Sequence, residues 1–418
     1  MPVWALTLRT VPAVPRLLTA PLRVALFTDS FFEANGVATL SREFAAFAAR
    51  RQYPFFGVHA GPRTQAVHGA NSTTVQLKRG LASFRLDYDL SCDPLLNRYR
   101  NWVLRQIRPF RPDLVHITGP GDLGVLGFWI AHLLQVPLVA SWHTNLHEYA
   151  GRRVDRKVGW LPDHWRRRIA STAEAQSLRA CMWFYGYGRF TLAPNAASVD
   201  MLGARTGRPS FLMAHGVDTE RYAPSRRQTR DGPFRIGYVG RLTPEKNVRL
   251  LVQLEQSLLA AGERNFRLVL IGEGSEKEWL GRQLKFGELP GILTGDALAQ
   301  AFADMDVFVF PSRTDTFGLV LLEAMASGVP VVVSHATGAR VEIEDGITGF
   351  HAEDLEGFTA RVLQLMNGPV LQQKMGIAAR RFACSKSWDT VFDQMYRTYD
   401  AGLAQIGARQ LAAAADTP

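Results

Sequence analysis

The sequence predicts an α/β protein made of two doubly wound parallel-sheet domains in tandem. Short apolar runs alternate with helix-like segments along the chain, which is typical of βαβ units. Several runs are apolar at every position, as expected for strands that are covered on both faces. A polar, charged stretch bounded by prolines, residues 224–233, interrupts the alternation, and a new apolar run follows it.

Nine apolar runs are predicted as strands. They are residues 23–27, 55–59, 114–117 and 138–141 in the first half, and 235–239, 267–271, 291–293, 307–310 and 330–333 in the second. The predicted helices include 39–50, 95–107, 124–134, 247–260, 276–285, 297–303 and 319–326. The stretch from Leu123 to Trp142 lacks Asp, Glu, Lys and Arg and is long enough to span a bilayer. Because Pro137 interrupts it, we predict a buried helix and then a short strand.

The length of 418 residues fits two or three domains of about 150 residues. We predict two, because the polar stretch at 224–233 separates two series of strands and helices. Parallel-sheet domains bind ligands at the carboxyl ends of their strands, so a cleft between the two domains is the expected site. The predicted order is a disordered lead-in (1–20), an N-terminal domain (21–223), a linker (224–232), a C-terminal domain (233–384), a terminal helix packing back toward the N-terminal domain (385–405) and a tail (406–418).

The chain is basic, with 48 Lys and Arg against 38 Asp and Glu and a net charge of +10. This charge is compatible with nucleic acid, anionic membranes or anionic small molecules. Three scattered cysteines, Cys92, Cys181 and Cys384, form neither a disulfide framework nor a zinc motif. We expect a cytoplasmic protein that binds no nucleic acid, because no nucleic-acid-binding motif is evident.

Residues 151–180 carry eight of the basic residues and only three acidic ones, together with Trp160 and Trp165. A basic segment with tryptophans suits an anionic membrane surface, and it equally suits a solvated helix face. The first interpretation would place the protein peripherally on the inner face of the plasma membrane.

Two candidate positions follow strands in the first half of the chain. Gly36 lies between the first strand and the next helix, where a glycine lets backbone N–H groups approach an anion. His143 follows the strand 138–141, at the ligand-binding end of a parallel sheet. An ordinary strand-to-helix turn is the alternative for Gly36, and a core or surface histidine is the alternative for His143.

The segment Gly240–Asn247 follows the first strand of the second half. Gly240 turns the chain, and Arg241 and Lys246 supply two cations that suit a diphosphate. Asn247 is predicted to cap the following helix. The alternative is a pair of solvated surface cations.

Glu323 is a single carboxylate in the apolar helix 319–326. A buried carboxylate needs partners, and a vicinal diol of a sugar could donate two hydrogen bonds to it. An arginine neighbour would serve as well. The N–H groups of Gly318 and Leu319 offer an anion site at the start of this helix.

In these motifs, the chain resembles the retaining, nucleotide-sugar-dependent glycosyltransferases of family 4. The members of this family have the GT-B fold, which consists of two Rossmann-like domains. The resemblance covers about residues 22–400 and is most specific in 240–247, 272–274, 295–312 and 315–328. The family's E-x7-E element is present with Asp315 as its first acid, as in α-mannosyltransferases and sulfolipid or glycolipid synthases. His215 stands where many members have Asn.

The resemblance implies a role for each matching residue. Catalytic roles fall to His143, Arg241, Lys246 and Asp315. Glu323 would bind the donor ribose, and Asp315 with Thr316, Phe317, Gly318 and Leu319 would hold the hexose and distal phosphate. Gly36, Gly240, Arg241 and Lys246 would surround the diphosphate, and Glu273, Leu293 and Thr294 would lie near the nucleoside.

The implied reaction moves a hexose from GDP-mannose or a UDP-sugar to a hydroxyl of a lipid or glycan, without a cofactor or required metal. The N-terminal domain would be the acceptor side and the C-terminal domain the donor side. A metal-dependent enzyme would use a D-x-D motif, which Asp87–Asp89 and Asp304–Asp306 both match. The remaining alternatives are a membrane-surface-binding protein and a nucleotide-sugar epimerase or phosphorylase on a similar fold.

Overall fold

The computed structural model describes residues 21–415, apart from 34, 88–89, 144–145, 161, 230, 313–317 and 336–342. The chain forms two compact units, Met1–Ala214 with Phe392–Pro418, and His215–Val391. The predicted lead-in, residues 1–20, lies outside the described residues. The backbone of the predicted tail is helical as far as Ala415.

The first unit contains an eight-stranded sheet with helices between its strands. The described strands of the whole unit, including two outside this sheet, are β1 (Val24–Thr28), β2 (Phe55–Gly61), β3 (Gln65–His68), β4 (Ser72–Lys78), β5 (Phe84–Asp87), β6 (Leu90–Cys92), β7 (Leu114–Ile117), β8 (Leu138–Ser141), β9 (Phe190–Ala193) and β10 (Ser210–Leu212). Its helices are α1 (Gly36–Arg50), α2 (Arg100–Ile107), α3 (Asp122–Leu134), α4 (Leu146–Lys157), α5 (Asp163–Tyr185) and α6 (Ala196–Thr206).

The strand order of this sheet is β10-β9-β8-β7-β1-β2-β4-β3, and all neighbours are parallel except β3 and β4. Strands β5 and β6 form a separate antiparallel pair. The chain leaves β1 toward β2 and returns on the other side with β7, so the order reverses between β1 and β7. Ligands of such sheets bind at the carboxyl ends of the two strands that flank the reversal.

The second unit is a six-stranded parallel sheet with the order β13-β12-β11-β14-β15-β16. Its strands are β11 (Phe234–Val239), β12 (Phe266–Ile271), β13 (Gly287–Gly291), β14 (Val307–Phe310), β15 (Val331–Ser334) and β16 (Gly349–Ala352). Its helices are α7 (Arg249–Ala260), α8 (Lys277–Gln283), α9 (Gly295–Ala303), α10 (Leu319–Ala326), α11 (Leu355–Met366) and α12 (Pro369–Cys384). The order reverses between β11 and β14.

Helices cover both faces of each large sheet, which explains the continuous apolar runs. In the second unit, one buried cluster contains Phe308 and Leu322, and another on the opposite face contains Val307 and Leu254. Adjacent residues of β14 therefore enter different cores, as the alternation of side chains along a strand requires.

The last helix, α13 (Trp388–Ala415), belongs to the first unit from Phe392 onward. Phe392 stacks on Phe44 of α1 with ring centroids 4.9 Å apart. Tyr399 is fully buried, and its hydroxyl contacts His116 of β7. This helix therefore contributes core side chains to the sheet that precedes it by almost two hundred residues.

Many predicted bounds differ from the structure by one or two residues, and three differences have a local physical reason. The strand expected at 291–293 lies at Gly287–Gly291, because Glu255 accepts the N–H groups of Lys285 and Phe286 and positions the chain earlier. Helix α1 begins at Gly36 rather than at residue 39, since the Asn35 side chain caps it. Asn247 does not cap α7: it has a left-handed backbone (φ 55°) and ends a 3₁₀ turn, Pro244–Lys246.

The predicted linker, residues 224–232, is packed against the second unit. Arg227 contacts the Asp306 carboxylate at 2.6 Å, and the N–H of Thr229 donates to Asp304 at 2.7 Å. Tyr222 and Ala223, expected in the N-terminal domain, are buried in the second unit. The division between units falls at Ala214, because these side chains and carboxylates tie the intervening segment to the second sheet.

The apolar stretch before Pro137 forms α3, which ends at Leu134 with Gln135 in a left-handed cap (φ 55°), and β8 follows. Its burial between sheet and helices confirms the predicted helix and strand. Among the described residues, none of the helices combines the length and apolarity needed to cross a bilayer.

Candidate active site

In the second unit, the carboxyl ends of β11 and β12 approach each other closely through glycines. The N–H of Gly240 donates to the carbonyl of Ile271 at 3.0 Å, and Gly272 has a φ of +142°. A Cβ on Gly272 would lie 2.0 Å from the Gly240 carbonyl oxygen. Only glycine fits there, and the two loops therefore lie side by side at the ligand-binding end of the sheet.

Arg241 and Lys246 both lie in the loop after β11, as predicted. The Arg241 carbonyl accepts the Tyr238 hydroxyl at 2.9 Å, and its guanidinium lies 3.8 Å from the Glu245 carboxylate. Burial favours a higher pKa for Glu245, but hydrogen bonds, including one from Thr243, and the charges of Arg241 and Lys246 outweigh it and lower that pKa. The two cations thus share a carboxylate counter-ion.

Glu273 follows β12, as predicted, and is paired with Lys277 at 2.5 Å. The Lys277 ammonium also lies near Gly291, at the end of β13. Leu293 is half-buried and packs against the core, and exposed Thr294 precedes the first turn of α9. These residues follow adjacent strands β12 and β13 and lie at the same edge of the sheet.

Glu323 lies in α10 and has a tyrosine as its partner. Burial raises the pKa of Glu323 to about 7, and a hydrogen bond from Tyr222 partly offsets this. Burial, and then the charge of Glu323, raise the pKa of Tyr222 well above its usual range, so that its hydroxyl remains the donor. Among the described residues, the hydrogen-bond partner of Glu323 is thus Tyr222 rather than an arginine.

Helix α10 starts directly after Gly318, whose left-handed backbone (φ +79°) sets the direction of the first turn. The N–H of Leu321 bonds to the Gly318 carbonyl, which leaves the N–H groups of Leu319 and Val320 without an intrahelical acceptor. The predicted residues Asp315, Thr316 and Phe317 lie outside the described residues.

In the first unit, Gly36 is the first residue of α1, where the backbone N–H groups of a helix favour an anion. The Asn35 side chain accepts the N–H of Ala38 at 2.9 Å and the side chain of Thr39 bonds to the Asn35 carbonyl. The cap fixes the helix start just after β1, at the edge where ligands of this sheet bind.

Two carboxylates, Asp29 and Asp122, meet at the reversal point of the first sheet. Burial, followed by the charge of Asp122, raises the pKa of Asp29 to about 7, so the protonated form of Asp29 can donate a hydrogen bond to the Asp122 side chain. Arg79 holds Asp122 through two bonds of 2.9 and 3.1 Å, and the N–H of Leu123 donates to Asp29.

His143 is buried two residues beyond β8, as predicted. Its Nε2 lies 2.7 Å from the Ser141 hydroxyl, which in turn lies 2.8 Å from Nε2 of His116. Burial lowers the pKa of His143 to about 4 and that of His116 to about 3. Both imidazoles are therefore neutral at pH 7.

Several residues near these strand ends belong to no motif that identifies them from the sequence. Asp29 follows β1 but was not assigned a role, because its partner Asp122 follows a different strand. Tyr222 precedes the predicted linker and gave no signal. Ser312, after β14, is fully buried, and its hydroxyl bonds to none of the described residues. Its position beside the polar loop was the only available clue.

The two D-x-D matches differ in what the structure shows. Asp304 accepts the N–H groups of Gln228 and Thr229, and Asp306 accepts the N–H of Arg235 and contacts Arg227. These carboxylates lie before β14, at the end of the sheet opposite the ligand-binding edge. The side chains of Asp87 and Asp89 lie outside those described.

The two Rossmann-like units, with cations and helix starts at their strand ends, define a glycosyltransferase with the GT-B fold. Residues 34–221 match the family described as Glycosyltransferase Family 4, and residues 233–368 match Glycosyl transferases group 1. The chain belongs to glycosyltransferase family 4, which confirms the resemblance drawn from its motifs. It is an enzyme of the transferase class.

The chain is similar to named relatives over most of its length. It is 34% identical to the GDP-mannose-dependent alpha-mannosyltransferase of Mycolicibacterium smegmatis, over 74% of this chain and 78% of the relative. It is 32% identical to the sulfoquinovosyl transferase SQD2 of Arabidopsis thaliana, over 68% and 56%. Sucrose-phosphate synthase from Thermosynechococcus elongatus shares the fold, with a TM-score of 0.66 at 17% identity over 94% of this chain and 99% of that structure.

Proposed function

We propose that the protein transfers a hexose from a nucleotide-diphosphate sugar to a hydroxyl of a lipid or glycan, with retention of the anomeric configuration. The observation that carries the proposal is the Glu323 carboxylate, held by Tyr222 in the apolar helix α10. A carboxylate in this setting favours two hydroxyl donors at fixed spacing, as in a ribose. Mannosyltransferase relatives whose name specifies GDP-mannose make that donor the first to test, with UDP-sugars next.

The diphosphate of the donor would meet Arg241, Lys246 and the first turn of α10. Negative charge grows on this group as the glycosyl–phosphate bond breaks, so fixed cations and helix N–H groups lower the barrier. Glu245 holds the cations in place before the donor arrives. By the family resemblance, Asp315, Thr316 and Phe317 would complete the contacts to hexose and distal phosphate.

The reaction breaks the C1–O bond to the diphosphate and forms a C1–O bond to the acceptor on the same face of the sugar. The proton of the acceptor hydroxyl passes to an oxygen of the departing diphosphate, so no dedicated carboxylate base is required. Fixed cations, rather than a bound metal ion, would stabilise the diphosphate. The neutral imidazole of His143 suits a hydrogen bond to a sugar or acceptor oxygen.

A lipid acceptor at an anionic membrane surface is supported by the exposed face of α5. Trp165 and Trp183 are 51% and 67% exposed and lie about five helical turns apart, hence on the same face, with Ile169 between them. The preceding loop adds Trp160, which is 81% exposed. Exposed tryptophans on one helix face suit the interface of a bilayer.

Arginines surround this aromatic face. Arg179, Arg205 and Arg208 line a groove of about 610 Å³ together with Trp183 and Tyr187. Burial lowers the pKa of nearby Arg189, and repulsion from the charge of Arg208 adds to this effect. An anionic headgroup would relieve that repulsion while Trp183 contacts its acyl chain. We therefore place the enzyme peripherally on the inner face of the plasma membrane.

The test is donor use by purified enzyme, measured as release of GDP or UDP from a panel of nucleotide sugars. We expect Glu323→Gln to lower kcat/KM by at least about 100-fold, because it removes charge-assisted hydrogen bonds to the ribose. Glu278→Gln is the matched control, since Glu278 lies in the same unit with a side chain that is 90% exposed. Near-normal turnover by the Glu323 variant would overturn the proposal.

A further inference from the structure

A chain of four buried side chains connects the last helix to His143. The Tyr399 hydroxyl lies 2.7 Å from Nδ1 of His116, and Nε2 of His116 lies 2.8 Å from the Ser141 hydroxyl. The Ser141 hydroxyl lies 2.7 Å from Nε2 of His143. All four residues belong to the first unit, and we call them the Tyr399–His143 chain.

The direction of the hydrogen bonds in this chain follows from counting protons. Tyr399 is fully buried, and burial raises the pKa of its phenol well above the usual range, so it keeps its proton. Its one hydrogen bond to a described residue is to His116 Nδ1. A buried hydroxyl donates where it can, so the phenol donates and His116 must carry its single proton on Nε2.

The hydroxyl of Ser141 connects His116 to His143 by hydrogen bonds of defined direction. Its oxygen accepts the N–H of His116 and can then donate its own proton to His143 or to the Ile117 carbonyl. The distance to His143 is 2.7 Å and that to Ile117 is 3.3 Å, which exceeds the usual range for a hydroxyl donating to oxygen. The serine therefore donates to Nε2 of His143, and the proton of His143 lies on Nδ1.

We infer that Tyr399 is a positioning residue for the transferase: acting through His116 and Ser141, it holds His143 as the Nδ1–H tautomer, a hydrogen-bond donor rather than a general base. This inference rests on the proposed function, because it assumes that His143 faces the reacting groups. A donor at this position would bind an oxygen of the sugar or acceptor, and its orientation depends on a helix distant in sequence.

The tautomer and the orientation of His143 decide whether it offers a hydrogen-bond donor to a ligand. A neutral imidazole can place its proton on either nitrogen, and only one arrangement presents a donor to the ligand. Tyr185 donates to the Ser141 carbonyl at 2.9 Å and fixes the backbone of the serine. The ring of Tyr185 also lies 5.3 Å from that of Trp142, so the segment from Ser141 to His143 is braced on several sides.

The first measurement is the tautomer of His143 in the full-length protein, by long-range ¹H–¹⁵N NMR with histidine-selective labelling. The signal is assigned by its loss in His143→Gln. We expect wild-type His143 to show a protonated Nδ1 and an accepting Nε2, and Tyr399→Phe to shift it toward the other tautomer. A protonated Nε2 in the wild type would overturn the inference, and no substrate is needed for this result.

The matched control is Tyr396→Phe. Tyr396 lies one helical turn earlier, is also buried, and its hydroxyl bonds to none of the described residues. The same atom is removed from the same helix, so a general effect on packing would appear in both variants. An equal change in the His143 spectrum for both would overturn the inference.

The second measurement is a double-mutant cycle on transfer activity. We expect Tyr399→Phe to lower kcat by about tenfold with the donor KM within about twofold. Ser141→Ala removes the connection, so the double variant should match Ser141→Ala alone. Additive losses would show that Tyr399 does not act through Ser141. If the wild type used no nucleotide sugar, the proposed function would fail, while the NMR result would still decide the inference about the tautomer.

Discussion

The hydroxyl of Tyr222 donates a hydrogen bond to the carboxylate of Glu323, and both groups have perturbed pKa values because they are buried together. A carboxylate with a pKa near 7 and a single described donor is poorly satisfied in the free enzyme. Ribose hydroxyls that bring two further donors would stabilise its charged form. Under the proposed function, the pair would couple donor binding to ionisation of Glu323.

This coupling predicts a pH dependence for donor use. The pKa of Glu323 is raised to about 7, so its charged form, which we propose accepts the ribose hydroxyls, accumulates as the pH rises. We expect kcat/KM for the donor to increase from pH 6 to 8 and then level off. Tyr222→Phe removes a bond that lowers this pKa, and the rise should shift upward by about one pH unit. An equal loss at every pH would argue against the coupling.

The Asp29–Asp122 pair predicts an unusual stability profile. The pKa of Asp29 is about 7 in the folded protein and 3.8 when unperturbed. As the pH rises, Asp29 therefore loses its proton first in the unfolded state. Stability should decline between about pH 4 and 7, by linkage. Asn at position 29 mimics the neutral acid, so Asp29→Asn should flatten the decline of Tm. Asp200→Asn, on the exposed side of α6, is the control; parallel slopes in all three proteins would contradict the assignment.

The close approach of β11 and β12 predicts a large effect from one methyl group. Gly272→Ala would place its Cβ 2.0 Å from a backbone oxygen at a left-handed φ of +142°. We expect a loss of at least about 2 kcal/mol in the free energy of unfolding, measured by denaturant titration. Gly281→Ala is the control: it lies in helix α8 with open space around its Cβ, so about 0.5–1 kcal/mol of stabilisation is expected.

We expect transfer activity to survive EDTA, because Arg241, Lys246 and the start of α10 supply positive potential at the proposed diphosphate site. Asp306 belongs to one of the two D-x-D matches. Asp306→Asn should lower stability, because it weakens the bonds to Arg227 and to the backbone of Arg235. The kcat of the folded fraction should remain nearly unchanged. The measurement is turnover with and without chelator. Loss of activity that Mn²⁺ restores would argue for a metal-dependent mechanism.

The aromatic and basic face of α5 predicts binding to anionic vesicles. We expect the full-length protein to float with vesicles of phosphatidylglycerol and phosphatidylcholine at low salt, and Trp165→Ala/Trp183→Ala to weaken flotation several-fold. Leu81→Ala is the control, because Leu81 is a fully exposed apolar residue in the turn between β4 and β5. Equal flotation of all three proteins, or no flotation of the wild type, would contradict the membrane proposal.

Local sequence determined most of the regular structure. The strands at Leu114–Ile117, Leu138–Ser141 and Val307–Phe310 were predicted to the residue, because a fully covered parallel strand is a continuous apolar run. The helix Leu319–Ala326 was equally clear. The family resemblance, the positions of Arg241, Lys246 and His143 after strands, and the position of Glu323 within α10 followed from motifs of a few adjacent residues.

The tertiary structure alone decided which groups meet. Tyr222 with Glu323, Asp29 with Asp122, and Tyr399 with His116 are separated by roughly 90 to 280 residues, and each pair is joined only when strands and helices pack. Ionisation and tautomer state depend on burial and on the partner, neither of which a local pattern contains. The sequence therefore determined which types of chemical group lie near the strand ends. The packing of the tertiary structure decided whether each buried acid is protonated and which nitrogen of each buried histidine carries the proton.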